Sequence, residues 1–140
     1  MANVSSRSER CLQSVDPELG DVVRKALLAA PAWMDFGVIS GLRTVDEQQA
    51  LWKKGRDANG DIVDRDEVVT FKDGIHQKSR HQFGNAVDIA AYKDGRITWD
   101  PDHTAIVAGY IVGFAAAHGV KLTGGLKWGW DQGHIELETS

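Results

Sequence analysis

Two short segments of the chain carry histidine and carboxylate side chains at spacings that allow metal binding. In the first segment, His81 and Asp88 are seven residues apart, with Gly84 between them. On one continuous helix these two side chains would lie about 10 Å apart along the axis, too far for both to bind one ion. Gly84 predicts a break in the chain, so that a loop carries His81 and a strand carries Asp88.

The strand that contains Asp88 is expected to form one wall of a pocket. With the period of two of a β-strand, Asp88 shares its face with Ala86 and Ala90, while Val87 and Ile89 occupy the opposite face. The two alanines leave space beside the carboxylate for an ion and a substrate. A turn cap is the structural alternative for Asp88.

The second segment lies near the carboxyl end and contains Asp131, His134 and Glu136. His134 and Glu136 fall on one face of a final strand, whose core face carries Ile135 and Leu137. Two histidines and one aspartate can supply the three protein ligands of a catalytic zinc site, which keeps one position open for water. A further carboxylate can then accept a proton from that water. The residues alone also allow Glu136 to be an ordinary solvated strand residue.

The remaining histidines are predicted not to bind metal. His118 ends a helix, where a positive charge interacts favourably with the helix dipole. His103 lies in a first helical turn, and His76 lies in a long loop.

The composition is that of one acidic globular domain. The 140 residues include 16 Lys and Arg against 20 Asp and Glu, a formal net charge of −4. This charge disfavours general nucleic-acid binding, which normally needs a basic surface. The apolar runs are shorter than the roughly 20 residues that cross a bilayer, so no membrane anchor is expected. The single cysteine, Cys11, excludes an intramolecular disulfide and a zinc site made only of thiolates.

The elements that must position these side chains can be predicted from capping signals and periodicity. Helices are expected from Pro17 to Pro31, from Thr44 to Gly55 and from Pro101 to Gly119. Strands are expected over Phe36–Ser40, Ala86–Ala91, Arg96–Trp99, Val120–Leu122 and Gly133–Leu137, with a hairpin at Asp94-Gly95. These elements indicate an α+β fold with a small, mostly antiparallel sheet and about three helices. We expect a single domain over residues 1–140, with residues 1–14 flexible because they are polar.

One long loop, residues 56–78, has two interpretations. It is either a lid over a substrate groove or a solvated insertion, and Asn59-Gly60 predicts a short hairpin within it. Asp57, Asn59 and Asp61 have the spacing of the first ligands of a calcium loop. The sixth position of that pattern is Ile62 rather than glycine, so a solvated turn is the preferred interpretation.

Three motifs in order along the chain resemble a known enzyme family. They are Ser40–Thr44 (SGLRT), Ser79–Asp88 (SRHQFGNAVD) and Asp131–His134 (DQGH). Together they are similar to the zinc metallopeptidases that cut peptidoglycan stem peptides, and the resemblance extends from about residue 36 to residue 137. This family includes VanY-like D,D-carboxypeptidases, VanX-like D,D-dipeptidases and phage L-alanyl-D-glutamate endopeptidases. Leu42 departs from the aromatic residue that the family often has, which affects a groove contact rather than the chemistry.

The resemblance implies a role for each matching residue. It implies one zinc ion held by His81, Asp88 and His134. It implies that Asp131 is the general base, with Glu136 as the alternative, and that Arg43 stabilises the oxyanion of the tetrahedral intermediate. Ser79 is expected to contact the substrate or a metal ligand.

Among the family members, the chain looks most like the phage endopeptidases. The aspartate at the base position, the single-domain length and the absence of an apolar signal segment favour an endolysin that cuts the L-Ala–D-Glu bond and lyses the cell wall. Such a protein is expected to be a monomer, made in the host cytoplasm without a signal peptide, and to act on peptidoglycan after release. A D,D-carboxypeptidase or D,D-dipeptidase is the alternative with the same chemistry, and a non-catalytic cell-wall-binding module is the alternative from another class. Trp128 and Trp130 are expected either to line the groove or to pack in the core.

Overall fold

The computed structural model describes residues 4–125 and 133–138. In these ranges the chain forms four α-helices, which are α1 (Ser6–Gln13), α2 (Pro17–Ala29), α3 (Val45–Lys53) and α4 (Pro101–Ala117). The strands are β1 (Phe36–Ser40), β2 (Ala86–Lys93), β3 (Arg96–Thr98), β4 (Leu122–Gly124) and β5 (His134–Leu137). Short 3₁₀ turns cover Ala32–Met34, Arg65–Glu67 and Arg80–Phe83.

The five strands form one antiparallel sheet. Their order is β1-β2-β5-β4, and β3 pairs with the end of β2 through the predicted hairpin. The α+β class and the small antiparallel sheet are therefore confirmed, with four helices where the sequence predicts about three. The strand predicted over Val120–Leu122 begins two residues later, at Leu122.

Three helices begin where the capping signals predict. The side chains of Asp16, Thr44 and Asp100 each accept a hydrogen bond from a backbone N–H in the first turn of α2, α3 and α4, respectively. Thr44 and Glu47 form the complete capping box. These caps satisfy backbone donors that a helix leaves unpaired at its start.

The hydrophobic core lies between the sheet and helices α1, α2 and α4. It includes Leu12, Leu19, Leu27, Phe36, Val87, Ile89, Ile111 and Ile135. Val87 and Ile89 belong to this core, as the strand period predicts for the face of β2 opposite Asp88. The helix α3 differs from the others, because the only residue that it buries is the polar Gln48.

The amino-terminal segment corrects an expectation, because residues 6–13 form helix α1 rather than a flexible end. Ser5 caps the helix, and the hydroxyl of Ser8 accepts a 2.9 Å hydrogen bond from the backbone N–H of Val38 in β1. Leu12 is buried in the core. Glu9 pairs with Arg24 of α2 at 2.8 Å. The segment is too polar to be recognised as a core helix, and contacts with distant residues hold it in place.

The long loop folds back towards α3. Arg56 and Ile62 pair across the turn at Asn59-Gly60, as the predicted hairpin requires. The carboxylate of Asp57 accepts hydrogen bonds from the backbone N–H groups of Asn59 and Asp61, which is the arrangement of a solvated turn. Farther along, residues 68–72 run beside a groove that contains the predicted site residues. We refer to residues 68–72 as the wall segment.

No helix in the described parts of the chain is both long enough and apolar enough to cross a membrane.

Candidate metal centre

The sheet brings two of the predicted metal ligands directly together. Asp88 lies opposite His134 in the β2–β5 pairing and opposite Ser40 in the β1–β2 pairing. Residues opposite each other on antiparallel strands have Cβ atoms about 4.5–5.5 Å apart, so their side chains can meet. Residues far apart in the sequence thus form one row across three strands.

The third predicted ligand, His81, lies on the 3₁₀ turn Arg80–Phe83. Ser79 and Gln82 form a capping box at the start of this turn, and Gly84 ends it with a φ of 71°. A left-handed residue at this point suits glycine and redirects the chain into β2. The break predicted at Gly84 is confirmed, although a helical turn rather than an open loop carries His81.

The ring of His81 is held through one nitrogen and presents the other to the site. Its Nδ1 lies 2.8 Å from the carbonyl oxygen of Gly41, an acceptor that requires a proton on Nδ1. Its Nε2 is buried and makes no hydrogen bond within the described residues, although it lies 3.3 Å from Asp88 Oδ1. A buried nitrogen lone pair without a proton donor is well suited to a metal ion.

The ring of His134 is positioned by a carboxylate in a comparable way. Its Nε2 lies 2.9 Å from Glu136 Oε1, and its Nδ1 lies 3.3 Å from Asp88 Oδ1. Glu136 is in turn paired with Arg80, whose guanidinium also donates a 2.8 Å hydrogen bond to the carbonyl oxygen of Leu137. Glu136 therefore faces the side of the His134 ring that points away from Asp88.

The charge of Asp88 is stabilised by its neighbours. Burial opposes ionisation, but the adjacent rings of His134 and His81 outweigh it and hold the pKa of Asp88 well below its usual range. The second oxygen, Oδ2, accepts a 2.9 Å hydrogen bond from the guanidinium of Arg43. Asp88 is thus an ionised candidate ligand, with Oδ1 directed at the two histidines and Oδ2 directed at Arg43.

The three side chains fit a metal ion by the chemistry and spacing of their donor atoms. One donor atom from each of His81, Asp88 and His134 lies within 4.8 Å of the other two, the only such cluster among the described residues. Ligands bonded to one tetrahedral zinc ion at about 2.1 Å are about 3.4 Å apart. Both nitrogen-to-oxygen distances to Asp88 Oδ1, at 3.3 Å, agree with that spacing.

The cluster opens into a groove of about 680 Å³. The groove is lined by the wall segment and Leu51 of α3, and by Arg43, Ser79 and the three candidate ligands. The wall segment is the part of the long loop that lines this groove. Phe71 is 71% exposed and presents its ring beside this groove.

The structure places most of the other predicted site residues. Arg43 lies beside Asp88. Ser79 lines the groove, and its hydroxyl accepts a hydrogen bond from the backbone N–H of His81. Asp131, Trp128 and Trp130 lie outside the described residues.

The remaining three histidines lie elsewhere and have other contacts. His76 pairs with Asp73, His103 contacts the carbonyl oxygen of Tyr92, and His118 caps α4. Gln48 is completely buried and contacts Arg43, although no motif in the sequence predicts a role for it. That a glutamine is the one fully buried residue of α3 becomes visible only in the folded protein.

Comparison with known proteins identifies the family. A family profile described as phage L-alanyl-D-glutamate peptidase matches residues 1–139. The chain belongs to this family. It is 31% identical over 144 residues to the L-alanyl-D-glutamate peptidase of Escherichia phage T5, and the match covers 93% of both chains. It is 33% identical over 143 residues to the peptidoglycan L-alanyl-D-glutamate endopeptidase CwlK of Bacillus subtilis strain 168, covering 93% of this chain and 81% of CwlK.

Solved structures show the same fold for this member of the phage L-alanyl-D-glutamate peptidase family. The L-Ala D-Glu endopeptidase ChiX of Serratia marcescens matches with a TM-score of 0.71 and 28% identity, over 95% of this chain and 87% of ChiX. The vancomycin resistance D,D-dipeptidase VanXYg matches with a TM-score of 0.54 and 19% identity, over 88% of this chain and 50% of VanXYg. The second match shows a shared fold alone.

Proposed function

We propose that this chain is a zinc endopeptidase that hydrolyses the L-Ala–D-Glu bond of peptidoglycan stem peptides. The observation that carries the proposal is the convergence of His81, Asp88 and His134 in an open groove. Family membership and two relatives named for L-alanyl-D-glutamate cleavage support the choice of bond.

Zinc is the ion that the donor set favours. Two imidazole nitrogens and one carboxylate oxygen suit zinc, whereas calcium and magnesium prefer sites built mainly from oxygen atoms. Three protein ligands leave a coordination position open, as catalytic zinc sites require. A bound zinc ion would supply Lewis acidity, which polarises the scissile carbonyl and makes water acidic enough to attack near neutral pH.

The side chains of this chain supply the remaining chemistry. Asp131, three residues before His134, acts as general base and passes the proton of the attacking water to the leaving amine of D-Glu. Arg43 carries a permanent positive charge into the groove and stabilises the oxyanion that forms as the carbonyl is attacked. Hydrolysis therefore breaks the C–N bond and yields a carboxylate on L-Ala and a free amine on D-Glu. Ser79, at the edge of the groove, contacts the substrate.

The phage relative also supports a proposal about the biological setting. The chain is a catalytic domain that acts as a monomeric phage endolysin after its release onto the cell wall. Its partner is peptidoglycan rather than nucleic acid or a membrane, and the consequence of cleavage is lysis of the bacterial cell. The relative from Escherichia phage T5 supports this setting.

Product analysis on purified peptidoglycan tests the proposal. Digestion followed by mass spectrometry should release stem peptides that begin with D-Glu, and a chelator should stop their release until zinc is restored. Free D-Ala as the only product would identify a D,D-carboxypeptidase instead, and binding without any product would identify a cell-wall-binding module.

A pair of histidine variants provides the matched control. His81→Ala should lose both zinc and activity, because it removes a buried donor of the cluster. His76→Ala should retain both, because the His76 ring is exposed and pairs with Asp73, outside the cluster. Equal loss in the two variants would contradict the assignment of the site.

A further inference from the structure

Gln48 connects the site to the wall of the groove through the two ends of one amide group. Its side chain is completely buried, and it is the only residue that α3 buries. Its oxygen, Oε1, accepts a 3.1 Å hydrogen bond from Arg43. Its nitrogen, Nε2, donates to the carbonyl oxygen of Lys72 at 2.9 Å and to the hydroxyl of Thr70 at 3.3 Å.

The oxygen end of Gln48 determines where the Arg43 guanidinium lies. One terminal nitrogen of Arg43 is bound by Gln48, and the other is bound by Asp88 at 2.9 Å and by Ser40 at 3.4 Å. A planar guanidinium held at both terminal nitrogens has its orientation fixed, whereas one held at a single nitrogen can rotate about that contact. Gln48 therefore supplies the second point of attachment.

The nitrogen end of Gln48 fixes the wall segment. Lys72 and Thr70 both line the groove, and Gln48 binds each of them from inside the protein. The backbone covers Gln48 closely at Gly74, where an added Cβ atom would lie 3.1 Å from the Cβ and Cγ atoms of Gln48 and where φ is 89°. The backbone at Gly74 therefore packs against the first carbons of the Gln48 side chain.

We propose that Gln48 is a positioning residue that aligns Arg43 through its oxygen and shapes the substrate-binding groove through its nitrogen. The inference rests on the proposed function, since it concerns how Arg43 meets the reacting carbonyl and how the groove binds the peptide. The two halves of the amide have separable consequences. Loss of the oxygen contact lowers kcat, and loss of the nitrogen contact raises KM.

Two substitutions of Gln48 separate the effect of its amide oxygen from the effect of its amide nitrogen. Gln48→Met removes both hydrogen-bonding groups and keeps a side chain of similar size. It should lower kcat and raise KM, with a combined loss in kcat/KM of about 10-fold to 100-fold. Gln48→Glu keeps an acceptor for Arg43 but replaces the donor to Lys72 with a second acceptor. It should therefore recover most of kcat while KM remains high. Gln49→Met, at the neighbouring and partly exposed position of α3, is the matched control and should change neither constant.

A double-substitution cycle tests whether Gln48 acts through Arg43. In an Arg43→Ala background, Gln48→Met should cause no further decrease in kcat, because the group that it aligns is gone. An equal fold-decrease in both backgrounds would overturn the proposal, as would a Gln48→Glu variant with kcat no better than that of Gln48→Met. If Gln48→Met does not fold, as judged by its thermal unfolding, Gln48→Glu tests the proposal by itself. It should raise KM and keep kcat close to that of the unmodified protein, and a large decrease in its kcat would overturn the proposal.

The zinc affinity of the same proteins separates this proposal from the proposed function. Arg43 binds Asp88, so a shift of Arg43 should change the dissociation constant for zinc. Gln48→Met should shift this constant in the same direction as Arg43→Ala and should add nothing in the Arg43→Ala background. Absence of hydrolysis by the unmodified protein would refute the proposed function, while additive changes in zinc affinity would refute the role of Gln48.

Discussion

The Nδ1 atom of His134 lies 3.3 Å from the Oδ1 atom of Asp88, and the two residues are direct partners in the pairing of β5 with β2. The backbone hydrogen bonds of the sheet therefore set the distance between these side chains. His81 reaches the same oxygen from a short helical turn, also at 3.3 Å. Two of the three donors stand on rigid strands, which favours a site formed before the metal binds.

Glu136 is expected to act on zinc binding through the His134 ring. Its carboxylate is bound by the Nε2 of His134 and lies 3.3 Å from Arg80, so it orients a ligand rather than facing the reacting water. Glu136→Ala should weaken zinc binding by about 10-fold to 100-fold, measured by competition with a chromophoric chelator. Glu138→Ala, at the exposed end of the same segment, is the control and should bind zinc normally. Loss of activity in Glu136→Ala with unchanged zinc affinity would instead make Glu136 the base.

Asp131 is expected to be needed for hydrolysis but not for zinc binding. Asp131→Asn removes a proton acceptor but none of the three candidate ligands, so hydrolysis should fall by about 10²–10⁴-fold while zinc remains bound at one equivalent. Asp94→Asn is a suitable control, because Asp94 lies in the β2–β3 hairpin with a φ of 54° that asparagine also tolerates. Both variants need peptide-release assays together with metal analysis. Full activity of Asp131→Asn would move the role of base to another group.

Helix α1 is expected to be part of the folded domain. Leu12 of α1 is 2% exposed in the core, so Leu12→Ala should lower the free energy of unfolding by about 2–5 kcal/mol, measured by urea denaturation. The neighbouring exposed Gln13→Ala should change it by less than about 0.5 kcal/mol. A negligible effect of Leu12→Ala would show that α1 does not pack in solution as it does in the structure.

The turn at residues 73–77, which follows the wall segment, should keep its structure in mild acid. Backbone hydrogen bonds from Gln77 and Ile75, together with the contact to His76, hold the pKa of Asp73 well below its usual range. Because the folded-state pKa is lowered, the carboxylate stabilises the turn above its unfolded pKa of about 3.9, and this contribution disappears as the pH falls through the lower, folded value. An NMR titration should therefore show the signals of the Asp73 side-chain carboxyl carbon unchanged between pH 6 and about pH 4. Titration of these signals in the usual carboxyl range would contradict the contacts, and Asp73→Asn should abolish the transition.

Much of the fold could be predicted from local patterns in the sequence. The caps at Asp16, Thr44 and Asp100 marked three helix starts correctly, because capping involves residues only two or three positions apart. The alternation along β2 and β5 indicated which side chains face the site. The polar helix α1 was missed, since its stability depends on contacts with β1 and α2 that no local pattern contains.

The sequence by itself determined which chemical groups are available and in what order: two histidines, an aspartate, an arginine and a candidate base, within motifs of a zinc peptidase family. Only the tertiary structure decided how those groups are oriented. The hydrogen bond from His81 to Gly41 joins residues 40 positions apart, and the bond from Gln48 to Lys72 joins residues 24 positions apart. Such contacts depend on how the chain returns to itself in space, so residue type and spacing cannot specify them. They nevertheless determine which nitrogen of the His81 ring faces the candidate metal site and which side chain binds Arg43 from α3.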